Sequence, residues 1–232
     1  MHKASLLVTV SFFVLRCLAQ DQNWSVEEIA KMESKRFIPS GAKRATSDIG
    51  KLYDWKYAEC KWEIDPWDRR IDGEVLHIVE LLNETDSIDF DFNDDLQIES
   101  VMVDDVMVSD FGVSAANALY IRSTLLEKGM NHEIRIKYGG EPQRNNYLSF
   151  NQGFHGGSIP EIWTLSQPFG AADWWPCKMS LSDKLDSVRI EITVPNGNKA
   201  ASQGILEEVL VHPDMTRTYV WVHRYSIPAY LV

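Results

Sequence analysis

The sequence predicts an all-β chain of antiparallel sheets, folded as a sandwich or barrel and preceded by a short helical lead-in. Three observations carry this. From Tyr53 onward apolar residues recur with a period of two. Ile88, Phe90 and Phe92 alternate with Asp89 and Asp91; Ile134, Ile136 and Tyr138 alternate with Arg135 and Lys137; Val188, Ile190, Ile192 and Val194 alternate with Arg189, Glu191 and Thr193. Successive side chains on a strand face opposite ways, so such runs read as half-buried strands. Turn signals separate the runs: Asp72-Gly73, Gly139-Gly140-Glu141-Pro142, Gly156-Gly157 and Pro195-Asn196-Gly197. Helical spacing, by contrast, is confined to one short segment near the start.

That segment comes first in chain order. Ser25-Val26-Glu27-Glu28 has the spacing of a capping box, in which Ser25 bonds the third amide and Glu28 reaches back. Ile29, Met32, Lys35 and Arg36 follow at helical intervals, which predicts a helix over 26–36, ended by Pro39-Ser40-Gly41. Residues 20–50 are thus a lead-in, and 51–232 the β domain. Beyond the three clear strands, further strands are expected at 55–64, 73–82, 97–103, 118–122, 145–150, 161–165, 205–211, 217–223 and 225–231. Asp94-Asp95 and Asp104-Asp105 are expected in turns. Short strands at this spacing suit antiparallel sandwiches and barrels.

Before the lead-in, residues 1–19 read as an export signal. His2 and Lys3 make a short positive start, and Leu6 to Leu15 is an apolar run broken only by Thr9 and Ser11. Cys17-Leu18-Ala19 offers small residues at the cleavage positions, and the run is shorter than the ~20 residues that span a bilayer. The expected location is therefore secreted or periplasmic. Removal of the signal leaves Cys60 and Cys177. In an oxidising compartment they can form a disulfide; the alternative is two buried thiols in the core. The chain has 232 residues, 44% hydrophobic and 25% charged, as expected of a globular protein. Its net charge of -11 disfavours nucleic acid and anionic membranes as partners, because phosphate contacts need clustered Lys and Arg.

The chemistry-bearing residues give little. None of His2, His77, His132, His155, His212 and His223 has a second His three or four residues away. His132-Glu133 opens like H-E-x-x-H, but Ile136 stands where the second His is required, and the motif needs a helix while this segment alternates like a strand. There is no G-x-S-x-G, and Cys177 sits in Trp174-Trp175-Pro176-Cys177, a setting for packing rather than for an activated thiolate. Eight tryptophans are present; they read either as an aromatic platform for sugar or peptide or, by default, as large rings filling a wide core.

The most distinctive stretch is Trp163-Thr164-Leu165-Ser166-Gln167-Pro168-Phe169-Gly170-Ala171-Ala172-Asp173-Trp174-Trp175-Pro176-Cys177. Gln167 precedes Pro176-Cys177 by nine residues. Asp183-Lys184 and a strand ending in Val194-Pro195 follow, then Ala201-Ser202-Gln203-Gly204, Thr218-Tyr219-Val220-Trp221 and Tyr225-Ser226-Ile227-Pro228-Ala229-Tyr230-Leu231-Val232. In this order the segments resemble the amino-terminal domain of zinc aminopeptidases related to aminopeptidase N, above all secreted bacterial members with an A-x-D-W-W-P-C loop. The resemblance spans about Tyr53 to Val232. Met179 departs from it, standing where many relatives carry Asp.

The resemblance implies a saddle-like β-sandwich placed before a thermolysin-like catalytic domain. That domain carries G-x-M-E-N and H-E-x-x-H, and its zinc polarises the scissile carbonyl while the motif Glu acts as base. This chain ends before either motif, so it is expected to be inactive alone and to have no cofactor of its own, with zinc in the complete enzyme. The implied partners are the catalytic domain and a peptide substrate. Gln167 matches the family's Gln or Glu that binds the substrate's amino end; its amide oxygen is able to accept a hydrogen bond from an ammonium group. A free-standing secreted module that binds carbohydrate or peptide is the alternative function.

Overall fold

The computed structural model describes residues 49–114, 116–142 and 149–232, all within the second of the chain's two units, Lys43–Val232. The export signal and the helix over 26–36 lie outside the described residues. Thirteen strands are present among the described residues: β1 (Tyr53–Glu63), β2 (Ile71–Leu81), β3 (Ser87–Asp91), β4 (Gln97–Val103), β5 (Val106–Val108), β6 (Phe111–Val113), β7 (Ala118–Arg122), β8 (Asn131–Gly140), β9 (Phe150–His155), β10 (Ile159–Thr164), β11 (Ser187–Val194), β12 (Ile205–Val211) and β13 (Arg217–His223). Three short 3-10 turns, at Ile49–Leu52, Ala171–Asp173 and Ala229–Leu231, complete the described regular structure.

Eight strands form one sheet in the order β12-β13-β11-β1-β2-β8-β4-β5; β3, β7 and β6 form a second sheet, and β9 and β10 a hairpin. The all-β expectation holds, with one qualification. Strand β1 pairs with β11 in parallel, Tyr57 opposite Ser187 through Glu63 opposite Thr193, so the large sheet is mixed rather than wholly antiparallel. The run at 225–231 is not a strand. Ile227 makes a single bridge to Leu185, and the chain then turns through Ala229–Leu231. Asp72-Gly73 lies inside β2 rather than in a turn. Its glycine answers to packing, since a Cβ at position 73 would sit 2.8 Å from the Tyr138 ring and 2.9 Å from Trp62 Cδ1.

The period of two positions the core. In β2 the odd residues from Ile71 to Leu81 are buried and the even ones half-buried. In β1 the buried set changes parity, from Tyr53 and Trp55 to Ala58, Cys60 and Trp62. A bulge between Trp55 and Tyr57 causes the change. One extra residue reverses which face every later side chain takes, and here it keeps the large rings inside. The bulged Lys56 carbonyl accepts the Asp186 amide at 2.8 Å, which ties the bulge to the entry of β11.

Ile88 and Phe90 of the small sheet and Val75, Ile136 and Ile190 of the large sheet belong to one buried cluster. The other face of the large sheet is charged, with Lys61 against Glu59, Arg135 against Glu74, Lys137 against Glu99 and Arg189 against Glu191. A sheet with one packed and one solvated face reads as alternating sequence, and this is why the strands were legible. Such exposed pairs add little stability individually.

Replacing Gly73 with Ala forces a methyl group against two buried rings. The expected loss is about 1–3 kcal/mol of unfolding free energy, measured by denaturant titration, with the far-ultraviolet spectrum retained.

Candidate functional site

The stretch from Ser166 to Lys178 is fastened to the sheets at nearly every step. Trp174 Nε1 donates to Ser166 Oγ at 2.9 Å, and the Gly170 amide donates to the Ser166 carbonyl at 2.7 Å. Together they close Gln167, Pro168 and Phe169 into a short loop. Gly170 has no room for a side chain, because a Cβ would clash with Ser149 Oγ. That hydroxyl donates instead to Asp173 Oδ2 at 2.7 Å. Further along, Ala172 O accepts the Asn93 amide at 3.0 Å, and Trp174 O accepts the Tyr138 hydroxyl at 3.1 Å. Tyr138 in turn accepts Trp62 Nε1 at 2.9 Å. A relay thus runs from β1 through β8 to the loop.

Two buried indoles fill the space beneath. Trp174 lies 4.8 Å from Trp62 and Trp175 lies 5.8 Å from Trp55, measured between ring centroids. Such tilted pairs stabilise beyond the area they bury. Cys177 exchanges both backbone hydrogen bonds with Asp91, at 2.7 and 3.1 Å, and Asp91 Oδ2 accepts the Met179 amide at 2.7 Å. Next to Met179, Lys178 makes a local ion pair. Its buried ammonium donates to Asp183 Oδ2 and, at 2.7 Å, to the Tyr53 carbonyl, and lies 4.2 Å from the centre of the Tyr53 ring.

Gln167 itself is exposed, and the peptide bond to Pro168 is cis. In the same stretch of chain Trp163, Leu165 and Phe169 are 43%, 52% and 38% exposed. Leu165 is held by the Ser149 carbonyl, and Trp163 stands on β10 opposite Asn151 of β9. The same hairpin exposes Phe154, edge-on to exposed Trp67 at 6.3 Å, and is tied down where Gln152 donates to the Pro66 carbonyl at 2.8 Å. The arrangement is one exposed amide on a rigid loop, flanked by apolar side chains. It presents a donor and acceptor for a polar group.

The two readings of the tryptophans divide by position. Trp55, Trp62, Trp174 and Trp175 are core, whereas Trp67 and Trp163 are exposed. Cys60 and Cys177 are both buried and are not joined in a disulfide; burial pushes the Cys60 thiol well above its ordinary range, as for an inert structural cysteine.

His132, His77 and His212 are each engaged within the fold. His132 lies between Asp104 Oδ2, at 2.7 Å, and the backbone of Glu127. Asp104 and Asp105 form the expected turn, both with positive φ. His77 faces inward among Val75 and Val79, stacks on Phe90 at 4.4 Å, and accepts Trp55 Nε1 through Nδ1 at 3.1 Å. His212 hydrogen-bonds Thr218. Among the described residues no three or more His, Cys, Asp and Glu side chains gather as metal ligands. The inward place of His77 was open to the alternation of β2; the Lys178–Asp183 pair left no pattern to read.

No protein-family model and no curated protein matches the sequence. Solved structures do match. An M1 zinc metallopeptidase from Deinococcus radiodurans aligns with a TM-score of 0.67 at 20% identity, over 78% of this chain and 41% of its own. This chain shares its β fold with M1 zinc metallopeptidases. A mutant of the Deinococcus protein bound to a Tyr-Ser-Ala substrate gives a TM-score of 0.66 at the same identity and coverage. Yeast LTA4 hydrolase gives 0.60 at 15% identity, over 86% of this chain and 31% of its own. The chain therefore spans less than half the length of the structures it resembles.

Two buried groups beside the loop titrate in opposite senses. Burial, helped by the Asp91 carboxylate, raises the Asp89 pKa to about 6, and its Oδ1 has no hydrogen-bond partner among the described residues. Burial lowers the His77 pKa to about 3. Asp89 thus contributes stability below its unfolded pKa of about 4 and loses it as pH rises through 6. His77 contributes stability above its unfolded pKa of about 6.5 and loses it as pH falls toward 3. The two offset each other between those limits. Asp89→Asn is expected to steepen the loss of stability on acidification from pH 6.5 to 4.5, read from urea midpoints, while leaving the variant more stable than the parent at pH 7.5.

Proposed function

We propose that this chain is the substrate-shaping β domain of an exported zinc-dependent aminopeptidase. In that role Gln167 accepts a hydrogen bond from the free amine of a bound peptide, beside a catalytic domain that brings the zinc and the general base. The observation that carries the reading is the hydrogen-bonded loop on which Gln167 stands exposed, in a stretch of chain that also exposes Trp163, Leu165 and Phe169. Exposed apolar side chains next to one polar group in the chain suit contact with a second domain and with a peptide end. The likeness to a metallopeptidase bound to Tyr-Ser-Ala supports peptide as the substrate class. His77, His132 and His212 are engaged within the fold, so the reading assigns them no step.

Two measurements test it. The purified chain is expected not to hydrolyse aminoacyl chromogenic substrates, with or without added zinc; chelator-sensitive turnover would contradict the proposal. In a gene product that joins this chain to a domain bearing G-x-M-E-N and H-E-x-x-H, Gln167→Ala is expected to lower kcat/KM on free-amine substrates. Loss of one hydrogen bond to a charged group sets the scale at roughly tenfold to a hundredfold. Zinc content and folding should not change. A gene frame that carries neither motif, or a Gln167→Ala enzyme with unaltered kcat/KM, defeats the assignment.

A further inference from the structure

We infer that Ser149 is the positioning residue for Gln167: buried itself, it holds the loop at three points and so sets where the substrate's amine is met. This rests on the role of Gln167 given under the proposed function. Ser149 lies in the bend that enters β9 and is 1% exposed, so it cannot touch a peptide and acts only through its neighbours. Its carbonyl accepts the Leu165 amide at 3.2 Å, ahead of Gln167. Its hydroxyl donates to Asp173 Oδ2 at 2.7 Å, beyond Gln167. Between these two points, the same hydroxyl fills the volume that a Cβ of Gly170 would need. Gly170 has a φ of -93°, which any residue adopts. Its lack of a side chain therefore answers to Ser149 and not to its backbone.

Ser149 is itself well anchored. The next residue, Phe150, offers its carbonyl to buried Arg69 Nη2 at 2.7 Å. The Arg69 guanidinium lies 5.8 Å from the centre of the Phe150 ring, and that ring is 6.1 Å from the Trp174 ring. Ser149 thus joins the base of the β9–β10 hairpin to both flanks of the Gln167 loop. The amide of Gly170, packed against Ser149, is the one that closes the loop onto the Ser166 carbonyl. A group that meets a substrate works best when buried neighbours fix its place, and small displacements cost rate. Ser149→Ala removes only the hydroxyl. It breaks the tie to Asp173 and empties the space beside Gly170, while the backbone bond to Leu165 and the Phe150 anchor remain.

Ser149→Ala tests this in two arms. In the chain by itself, the variant's Leu165 and Gly170 amides are expected to exchange hydrogen at least about tenfold faster than its β1 and β8 amides, whereas in the parent the two sets match. In the joined enzyme of the proposed function, kcat/KM on free-amine substrates is expected to fall about threefold to tenfold. The fall should appear as a rise in KM with kcat held, because the amine is bound in ground and transition states alike. Added to Gln167→Ala, the same change should cost less than about twofold, since its effect passes through Gln167. An enzyme that is merely less stable would lose kcat with KM unmoved, in either background. Loop amides that stay matched to β1 and β8, a loss confined to kcat, or an equal loss on top of Gln167→Ala overturns the inference. Gln167→Ala without effect defeats the proposed function and this inference together; a deficient Gln167→Ala beside a silent Ser149→Ala defeats the inference alone.

Discussion

The structure depends on a pair of adjacent buried indoles, Trp174 and Trp175, that fasten an irregular segment to the large sheet. Irregular backbone carries polar groups that sheets would otherwise satisfy, and burying it is costly unless each finds a partner. Here the partners are found. The Trp174 carbonyl receives Tyr138, the Trp174 indole reaches Ser166, and Cys177 pairs with Asp91 of the small sheet. The same contacts join the small sheet to the large one, so packing of the core and placement of the loop have one cause. The exposed amide of Gln167 is held still by residues that do not touch it.

Much of this was open to reading from the residues alone. Strands at 97–103, 118–122, 205–211 and 217–223 fall where alternation and turn residues put them. Half-buried strands carry their environment in their sequence, one side chain at a time. What escaped is non-local. The parallel pairing of β1 with β11 joins segments more than a hundred residues apart, and no local pattern encodes it. The parity change in β1 depends on a bulge whose carbonyl is satisfied by distant Asp186. Asp72-Gly73 looked like a turn because glycine usually relieves backbone, yet Gly73 yields space to Tyr138 and Trp62. The short strands β5 and β6, of three residues each, are too brief to show a period.

The candidate site was legible to a different degree. The glycine and alanines at 170–172 marked close packing, and Gly170 indeed has no space for a methyl group. That Gln167 would stand exposed among apolar side chains could not be read from Leu165 and Phe169, which resemble core residues in sequence. The alternation that identified the strands says nothing about a surface that no other part of the described chain covers. Strand β12 makes the same point, since five apolar residues there look like core and are all exposed. Apolar sequence specifies burial, but not which chain provides the cover.

The central claim is that the loop bearing Gln167 is part of the core's cooperative unit rather than a mobile surface segment. Native-state hydrogen exchange measures this directly. The amides of Gly170, Trp174, Trp175 and Cys177 are expected to exchange only through global unfolding, with the same free energy as the amides of β1 and β8. Exchange of those four amides through local opening, well below the global free energy, would contradict the account.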